Sequence, residues 1–367
     1  MVRLGAMGDI VHALAGVASL KSGFPGAHLT WVVEPQWADL LEANRHVDRV
    51  ILLRRRSASG LLASWRELRS EGFDLAVDFQ GLLKSAVVAA AARPERIFGW
   101  ESGQLRERAA GVFYTNRASS EAAHVVDRNL DLAAAAGARE RLRVFPLPAG
   151  RPEAELPEGD FVLASPTAGW RAKQWPLENY LALGKLLWRE CKMPLVLNGP
   201  PGGLTDGSVC PTLSPGDSRA CGLTGESACP TLVAEDLRKS GAGASACQPV
   251  VSRLAAADGI WPHACGLAGL IDATRRATAV VGVDSGPMHL AAALAKPGVA
   301  LFGPTDPARN GPYGGSLGVL RWPGATTTYK RLDEIDESMR RITVEEVFES
   351  LRGALRRPRD ESACKPK

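Results

Sequence analysis

An apolar, β-branched run over Ala279–Val283 stops at Asp284-Ser285-Gly286-Pro287-Met288-His289 and gives way at once to an Ala/Leu-rich helical segment. A strand that passes through a short Gly-containing turn into a helix start makes an anion site. The unbonded N–H groups of the first helical turn and the helix dipole both face whatever lies there. Asp284 and His289 flank that point, and Ser285 and Gly286 form the turn. A second apolar run, 298–301, leads into Phe302-Gly303-Pro304-Thr305-Asp306-Pro307. Together the two turns have the character of the floor of a nucleotide-diphosphate pocket.

Three further turns carry reactive side chains. Gly5-Ala6-Met7-Gly8-Asp9-Ile10-Val11-His12 precedes a helix expected over 11–20, and its glycines permit a tight turn and close backbone approach. Asp9 suits two roles there, helix N-cap or proton-accepting carboxylate, and residue types leave both open. His12 fits a packed surface position as well as any other. The loop has neither the Lys-Ser/Thr of a P-loop nor the G-x-G-x-x-G of a dinucleotide fold. Lys173 lies in Pro166-Thr167-Ala168-Gly169-Trp170-Arg171-Ala172-Lys173-Gln174-Trp175-Pro176, between a strand and a helix. Its charge suits a phosphate, although taken alone it reads first as a solvated loop lysine. Trp175 before Pro176 marks a helix start with the indole packed. Asp78-Phe79-Gln80-Gly81-Leu82-Leu83-Lys84-Ser85 ends a strand and opens a helix, which puts Gln80 and Lys84 where an acidic acceptor would meet them. Arg54, Arg55, Arg56, Arg93, Arg96, Arg106 and Arg108 share this half.

These turns need a scaffold of strands and helices. Strands are expected at 29–33, 50–53 and 75–79, with helices at 37–43, 58–71 and 82–92 between and after them, a βαβ alternation that implies a parallel sheet. A Pro/Gly-rich stretch (Pro146, Pro148, Gly150, Pro152, Pro157, Gly159) changes the composition, so 149–160 reads as a linker between domains at 1–148 and 161–340. The second domain repeats the alternation: strands at 161–164, 195–197 and from 279, helices at 176–188 and 267–277. A closing helix over 343–355, with Thr343 as N-cap and Glu346 as capping-box partner, begins a final segment, 341–367, that ends in a tail.

Two places break the pattern. Val2-Arg3-Leu4-Gly5 leaves almost no strand before the first turn, whereas such strands run to about five residues. Either that strand is short or the true start lies upstream. The stretch at about 202–248 is rich in Gly, Ser, Ala, Pro and Cys with little periodicity, and reads as an inserted, partly disordered loop. Its Cys210, Cys221, Cys229 and Cys247 contain no C-x2-C pair, which argues against zinc.

At 367 residues the chain is long enough for two cores. A net charge of +4 gives no footprint for nucleic acid. No apolar run reaches the roughly 18 residues of a membrane span, and Arg3 and Asp9 interrupt any signal peptide. Seven cysteines, an odd number, without an export signal argue against a disulfide framework. A cytoplasmic protein is expected.

Five of these segments, in this order, resemble the ADP-heptose:lipopolysaccharide heptosyltransferases, family 9 of the glycosyltransferases. They are 3–12, 78–86, Lys173-Gln174-Trp175-Pro176, 284–291 and 302–307. The resemblance implies an α/β protein of GT-B architecture: two Rossmann-like domains facing a central cleft, donor on the C-terminal one and acceptor on the N-terminal one. The final helix is expected to pack back on the N-terminal domain. By the same analogy Asp9 is the general base. Thr167, Lys173, Asp284, Ser285, Gly286 and His289 hold the donor, and Gly8, Gln80 and Lys84 meet the acceptor. The implied reaction is an inverting transfer of heptose from ADP-heptose to the Kdo inner core of lipid A, with no cofactor and no metal, there being no Asp-x-Asp motif. An acidic, lipid-anchored acceptor further implies peripheral attachment to the cytoplasmic face of the inner membrane.

The chain departs from the family pattern at two places in this half. Ser285 stands where many relatives have Thr, keeping the hydroxyl. Relatives also carry an acid soon after the strand ending at Leu197, expected to help hold the donor nucleoside. Here Asn198-Gly199-Pro200-Pro201 runs into the insertion, where Glu226, Glu235 and Asp236 are poor substitutes. A family-9 transferase with another sugar or acceptor, and an inactive nucleotide-sugar-binding relative, are the alternative readings.

Overall fold

The structure, a computed structural model, describes residues 1–199 and 258–356. The insertion at 202–248, its four cysteines, the three substitute acids and the tail lie outside the described residues. In the first half the chain forms α1 (Met7–Gly23), β1 (Thr30–Val33), a 3-10 segment (Pro35–Leu41), β2 (Arg49–Leu52), α2 (Ala58–Arg69), β3 (Leu75–Val77), α3 (Leu83–Ala91), β4 (Arg96–Trp100), β5 (Asn116–Ala118) and α4 (Val125–Ala135). The second half adds β6 (Val162–Ser165), α5 (Leu177–Cys191), β7 (Leu195–Gly199), β8 (Ile260–Ala264), α6 (Leu267–Arg276), β9 (Ala279–Val283), α7 (Gly286–Ala293), β10 (Gly298–Phe302), α8 (Pro307–Asn310), β11 (Leu317–Arg321), α9 (Glu337–Arg340) and α10 (Val344–Arg356).

Among the described residues every strand pair is parallel. The second half carries a sheet in the order β11-β10-β9-β6-β7-β8. The first half carries β1-β2 and β3-β4-β5, and residues 1–4 join them. Val2 bridges to Val32 on one side and to Asp78 on the other. The Val2 N–H donates to Val77 O at 2.9 Å, its carbonyl accepts from Phe79 N at 3.1 Å, and Leu4 O accepts from Glu34 N at 3.1 Å. The stretch that looked too short for a strand is therefore the central rung of the sheet. It needs no length because both its edges are bonded and Val2 and Leu4 are buried.

Packing places the two halves in direct contact. One apolar cluster runs from the first sheet through Ile10 and Leu14 of α1 to Met288 and Leu290 of α7, and on to Leu163 and Phe302 of the second sheet. A separate cluster covers the other face of that sheet, with Tyr180, Leu183 and Leu187 of α5 against Val347, Phe348 and Leu351 of α10. The described part of the last segment, α10, packs on α5, β9, β10 and β11 of its own half, where a return to the first half was expected. Its apolar stripe matches the one α5 offers. The capping box forms as the sequence implies, with Glu346 N donating to Thr343 Oγ1 at 3.2 Å and Thr343 N donating to Glu346 Oε2 at 2.9 Å. Trp175 is buried, and its indole N–H donates to Ile342 O at 2.9 Å. The helix expected at 37–43 is the 3-10 segment, and α1 starts four residues earlier than expected.

Candidate functional site

The first turns of α1 and α7 press against one another across the two halves. A Cβ on Gly286 would lie 2.6 Å from Met7 Sδ, and one on Gly8 would lie 2.4 Å from His289 Cδ2. Only glycine permits this approach at either position. Gly8, expected on the acceptor side, thus faces the His289 ring.

Around that contact a buried charged chain forms. Lys173, from the loop after β6, donates to Asp284 Oδ2 at 3.0 Å. The other oxygen of Asp284 lies 3.6 Å from His289 Nε2, and His289 Nδ1 lies 3.0 Å from His12 Nε2. Burial raises the Asp284 pKa, but the His289 contact and the Lys173 charge outweigh it and hold the carboxyl well below the usual carboxylate range. Burial, with His289, His124 and Arg3 nearby, lowers the His12 pKa well below its ordinary 6.5, so His12 is neutral. His12 Nδ1 is buried with no partner. A proton there would be unsatisfied, so the pattern assigns it to Nε2, which donates to His289 Nδ1. His289 then carries its proton on Nε2, toward Asp284. His12 had looked like an ordinary packed histidine. The signal that could have marked it is its place one helical turn after Asp9.

Ser285 is the N-cap residue of α7, yet its side chain makes no capping bond. Its hydroxyl is buried and unpaired, and so is that of Thr305 in the turn after the neighbouring strand β10. Buried hydroxyls without partners are uncommon, and these two sit on the turns read as an anion floor. Thr167 lies half-buried on the same loop as Lys173. Among the described residues no cluster of His, Cys, Asp and Glu could hold a metal ion.

Asp9 lies across the α1–α7 contact on the first-half side. It is the third residue of α1, not the N-cap; the N-cap is Ala6. Its Oδ2 accepts from the Ala6 N–H at 3.3 Å and pairs with Arg3 Nη2 at 2.6 Å. Oδ1 has no partner among the described residues, and the side chain is 45% exposed. Arg3 is buried and also donates to Phe79 O at 2.5 Å. Gln80 Oε1 accepts from the Leu4 N–H at 2.9 Å, so its carbonyl end ties down the strand that leads into the Asp9 turn. Asp78 is the buried hub beneath: it accepts from Gln80 N at 2.9 Å, Gly81 N at 3.2 Å, Ser85 Oγ at 2.8 Å and Tyr114 Oη at 2.7 Å. Burial raises its pKa in spite of these bonds.

Lys84 opens a wider basic surface. Its ammonium is 3.8 Å from Glu34 Oε1, which also accepts from Arg55 Nε at 2.7 Å. Glu34 is buried and carried no signal in the sequence. It lines a cavity of about 500 Å³ with Arg54, Arg55 and Arg56, and Lys84 lines one of about 530 Å³ with Arg106. A larger cavity of about 700 Å³, lined by Leu20, Phe24, Leu75 and Val77, lies at the opposite end of the first sheet and holds none of these groups.

A second bridge joins the halves behind His12. His124 caps α4 through Nδ1, which accepts from Val126 N at 3.1 Å, and its Nε2 reaches Gly311 O at 3.1 Å. Its ring packs 4.9 Å from that of Tyr313, whose hydroxyl donates to Asp127 at 2.8 Å and accepts from Arg143 at 2.7 Å.

Two parallel α/β halves, with chemistry-bearing turns at the strand ends where they meet, define a GT-B protein. The match to the family model described as glycosyltransferase family 9 (heptosyltransferase) covers residues 61–201 and 264–336. The chain is 30% identical over 337 residues to lipopolysaccharide heptosyltransferase 1 of Pseudomonas aeruginosa, covering 86% of this chain and 81% of that one. It is 27% identical over 354 residues to the same-named protein of Escherichia coli K12, covering 88% and 93%. The chain belongs to glycosyltransferase family 9. Its fold is similar to that of E. coli heptosyltransferase WaaC with ADP, at TM-score 0.67, 23% identity and coverage of 95% and 97%. It is also similar to that of a family 9 glycosyl transferase from Veillonella parvula, at TM-score 0.68, 20% identity and coverage of 96% and 95%.

Proposed function

We propose that this chain transfers heptose from ADP-heptose to an acidic Kdo sugar of the lipopolysaccharide inner core, with inversion at the anomeric carbon. The names of its relatives support the sugar and the pathway. The observation that carries the reading is the pairing, across one helix–helix contact, of an anion-ready turn with a half-free carboxylate. On one side stand the first turn of α7, the unpaired Ser285 hydroxyl and Lys173. On the other stands Asp9 with Oδ1 open.

The acceptor hydroxyl attacks the anomeric carbon from the face opposite the diphosphate. A sugar hydroxyl does not ionise near neutral pH, so Asp9 Oδ1 takes its proton as the bond forms. Arg3 and the Ala6 N–H hold Oδ2 and thereby aim Oδ1. Negative charge grows on the departing ADP, where the α7 N–H groups, Ser285 Oγ and Lys173 are already oriented. Asp284 would repel a diphosphate directly. Its role in this reading is to hold Lys173 and His289 in place. Thr167 and Gly286 border the same donor pocket. Gln80 positions the Asp9 turn, and Lys84 with Arg55 meets the acceptor carboxylate. Residues 1–148 form the acceptor lobe and 161–340 the donor lobe, joined by 149–160. A lipid-anchored acceptor calls for peripheral attachment at the cytoplasmic face of the inner membrane; among the described residues no helix is long and apolar enough to cross a membrane.

Incubation with ADP-heptose and Kdo-lipid A, read by mass spectrometry, should give an acceptor heavier by one heptose. ADP binding with no product would instead favour an inactive nucleotide-sugar-binding relative, and product from another sugar nucleotide would reassign the donor.

A further inference from the structure

Helices α2 and α3 lie together on the first half, linked where Arg69 Nε donates to Ala91 O at 3.3 Å. Helix α2 buries only Ser64 and Leu68. Bordering that buried stripe stand Leu61, Leu62 and Trp65, each 37–49% exposed, with Leu61 and Trp65 one turn apart. On the neighbouring α3, Leu83 and Val87 are each 41% exposed as well. Single exposed apolar residues are ordinary, but five on two touching helices form a patch.

The rim of this patch is basic. Arg54 and Arg56 precede α2, and Arg66 and Arg69 close it, all exposed. The Arg69 guanidinium sits 4.4 Å from the centroid of the Trp65 ring, leaving the amphipathic indole at the edge of the patch. The nearby acids Glu67 and Glu71 both pair with Arg49 on β2, toward the sheet. The outward charge around Leu61, Leu62 and Trp65 is therefore positive.

We infer that the α2–α3 face docks on an anionic phospholipid bilayer, with Leu61, Leu62 and Trp65 entering the headgroup boundary and the arginine rim meeting lipid phosphates. Apolar side chains with a Trp on one helix face and arginines beside them are the composition of an interfacial helix. The placement serves the proposed reaction and rests on that reading for its purpose. The first turns of α2 and α3 border the cavities lined by Arg54 and Lys84. A sugar carried on a lipid held by this face would enter the cleft from the edge where Asp9 stands.

The test is flotation of the full chain with vesicles of phosphatidylethanolamine and phosphatidylglycerol, against vesicles of phosphatidylcholine alone. The native protein should float with the first and not the second, and raised salt should release it. The triple variant Leu61→Ser, Leu62→Ser, Trp65→Ser should partition at least about tenfold more weakly. It should still unfold cooperatively, at a somewhat lower midpoint, because each side chain is only partly covered. Should it fail to fold, Arg66→Glu alone should weaken flotation several-fold. The triple variant should keep transfer to a deacylated, soluble acceptor and lose transfer to the same sugar carried in vesicles. The inference is overturned if the native protein floats with neither vesicle, or if the variants float as it does. It is equally overturned if the triple substitution abolishes a concentration-dependent dimer, since a second copy then covers the face. Flotation with no sugar transfer by the native protein would leave the docking face standing and remove the proposed reaction.

Discussion

The two sides of the cleft are built from charge in opposite ways. On the donor side Asp284 and Lys173 have side chains 5% and 14% exposed, locked to each other and to a pair of histidines. On the acceptor side the outward charges, Asp9, Lys84 and Arg55, are 45–56% exposed, each leaning on a buried partner, Arg3 or Glu34. Charges fixed away from water keep their orientation as a leaving group departs, which suits a diphosphate whose shape does not vary. Exposed, water-screened charges are weaker individually and more adaptable, which suits a large acceptor arriving from a surface. The difference predicts that substitutions on the donor side cost both fold and function, while those of the exposed acceptor-side charges cost mainly function.

Asp284→Ala should have the largest effect on stability. It leaves Lys173 and His289 buried without their partner, a loss of about 3–5 kcal/mol, read by urea denaturation. Stability within 1 kcal/mol of native, on the order of an exposed pair, would erase the distinction. Gly8→Ala comes next, because its methyl group would meet the His289 ring at 2.4 Å. It should cost about 1–3 kcal/mol and weaken ADP binding, since His289 must move. Unchanged ADP affinity in calorimetry would detach α1 from the donor site.

Acid should act on the same region. The His12 and His124 pKa values are lowered by burial, so the unfolded chain binds protons that the folded one excludes. Their stabilising contribution is complete above the ordinary value of 6.5 and is lost as pH falls below it. Denaturation at pH 7 and pH 5 should show lower stability at pH 5, and His12→Gln should reduce that slope. A slope untouched by His12→Gln would mean that His12 is not held neutral. Lys84→Ala should be smallest for the fold, at under about 0.5 kcal/mol, while raising the acceptor KM. A large loss of stability there would show the acceptor side to be as locked as the donor side.

What the sequence revealed follows the range of the interaction. The strands expected at 29–33, 50–53, 75–79, 161–164, 195–197 and from 279, and the Thr343–Glu346 capping box, rest on neighbours within a few positions and form, while β4, β5, β8 and β11 went unread. The helix α10 was legible as a helix, but its partner was not. Its apolar stripe says only that it packs somewhere, and Val347, Phe348 and Leu351 found α5. Among site residues, Lys173, Asp284 and His289 do come together. His12, His124, Tyr313 and Glu34 were missed because their meaning is set by residues far along the chain; His12 meets His289 across 277 positions. Gly8, which the resemblance gives to the acceptor, lies against the His289 ring, a neighbour that a glycine in the sequence does not announce.

Asp9 stands on the acceptor side of the contact between the halves, and Asp9→Asn tests its role most directly. Asn keeps the shape and still accepts the Ala6 N–H, but the buried Arg3 loses the charge of its partner, at a cost of about 1–3 kcal/mol. Single-turnover transfer from ADP-heptose to Kdo-lipid A should fall by about 10²–10⁴-fold, with ADP affinity and cooperative melting retained. Turnover within a few-fold of native would make Asp9 a structural partner of Arg3 and contradict its assignment as the base.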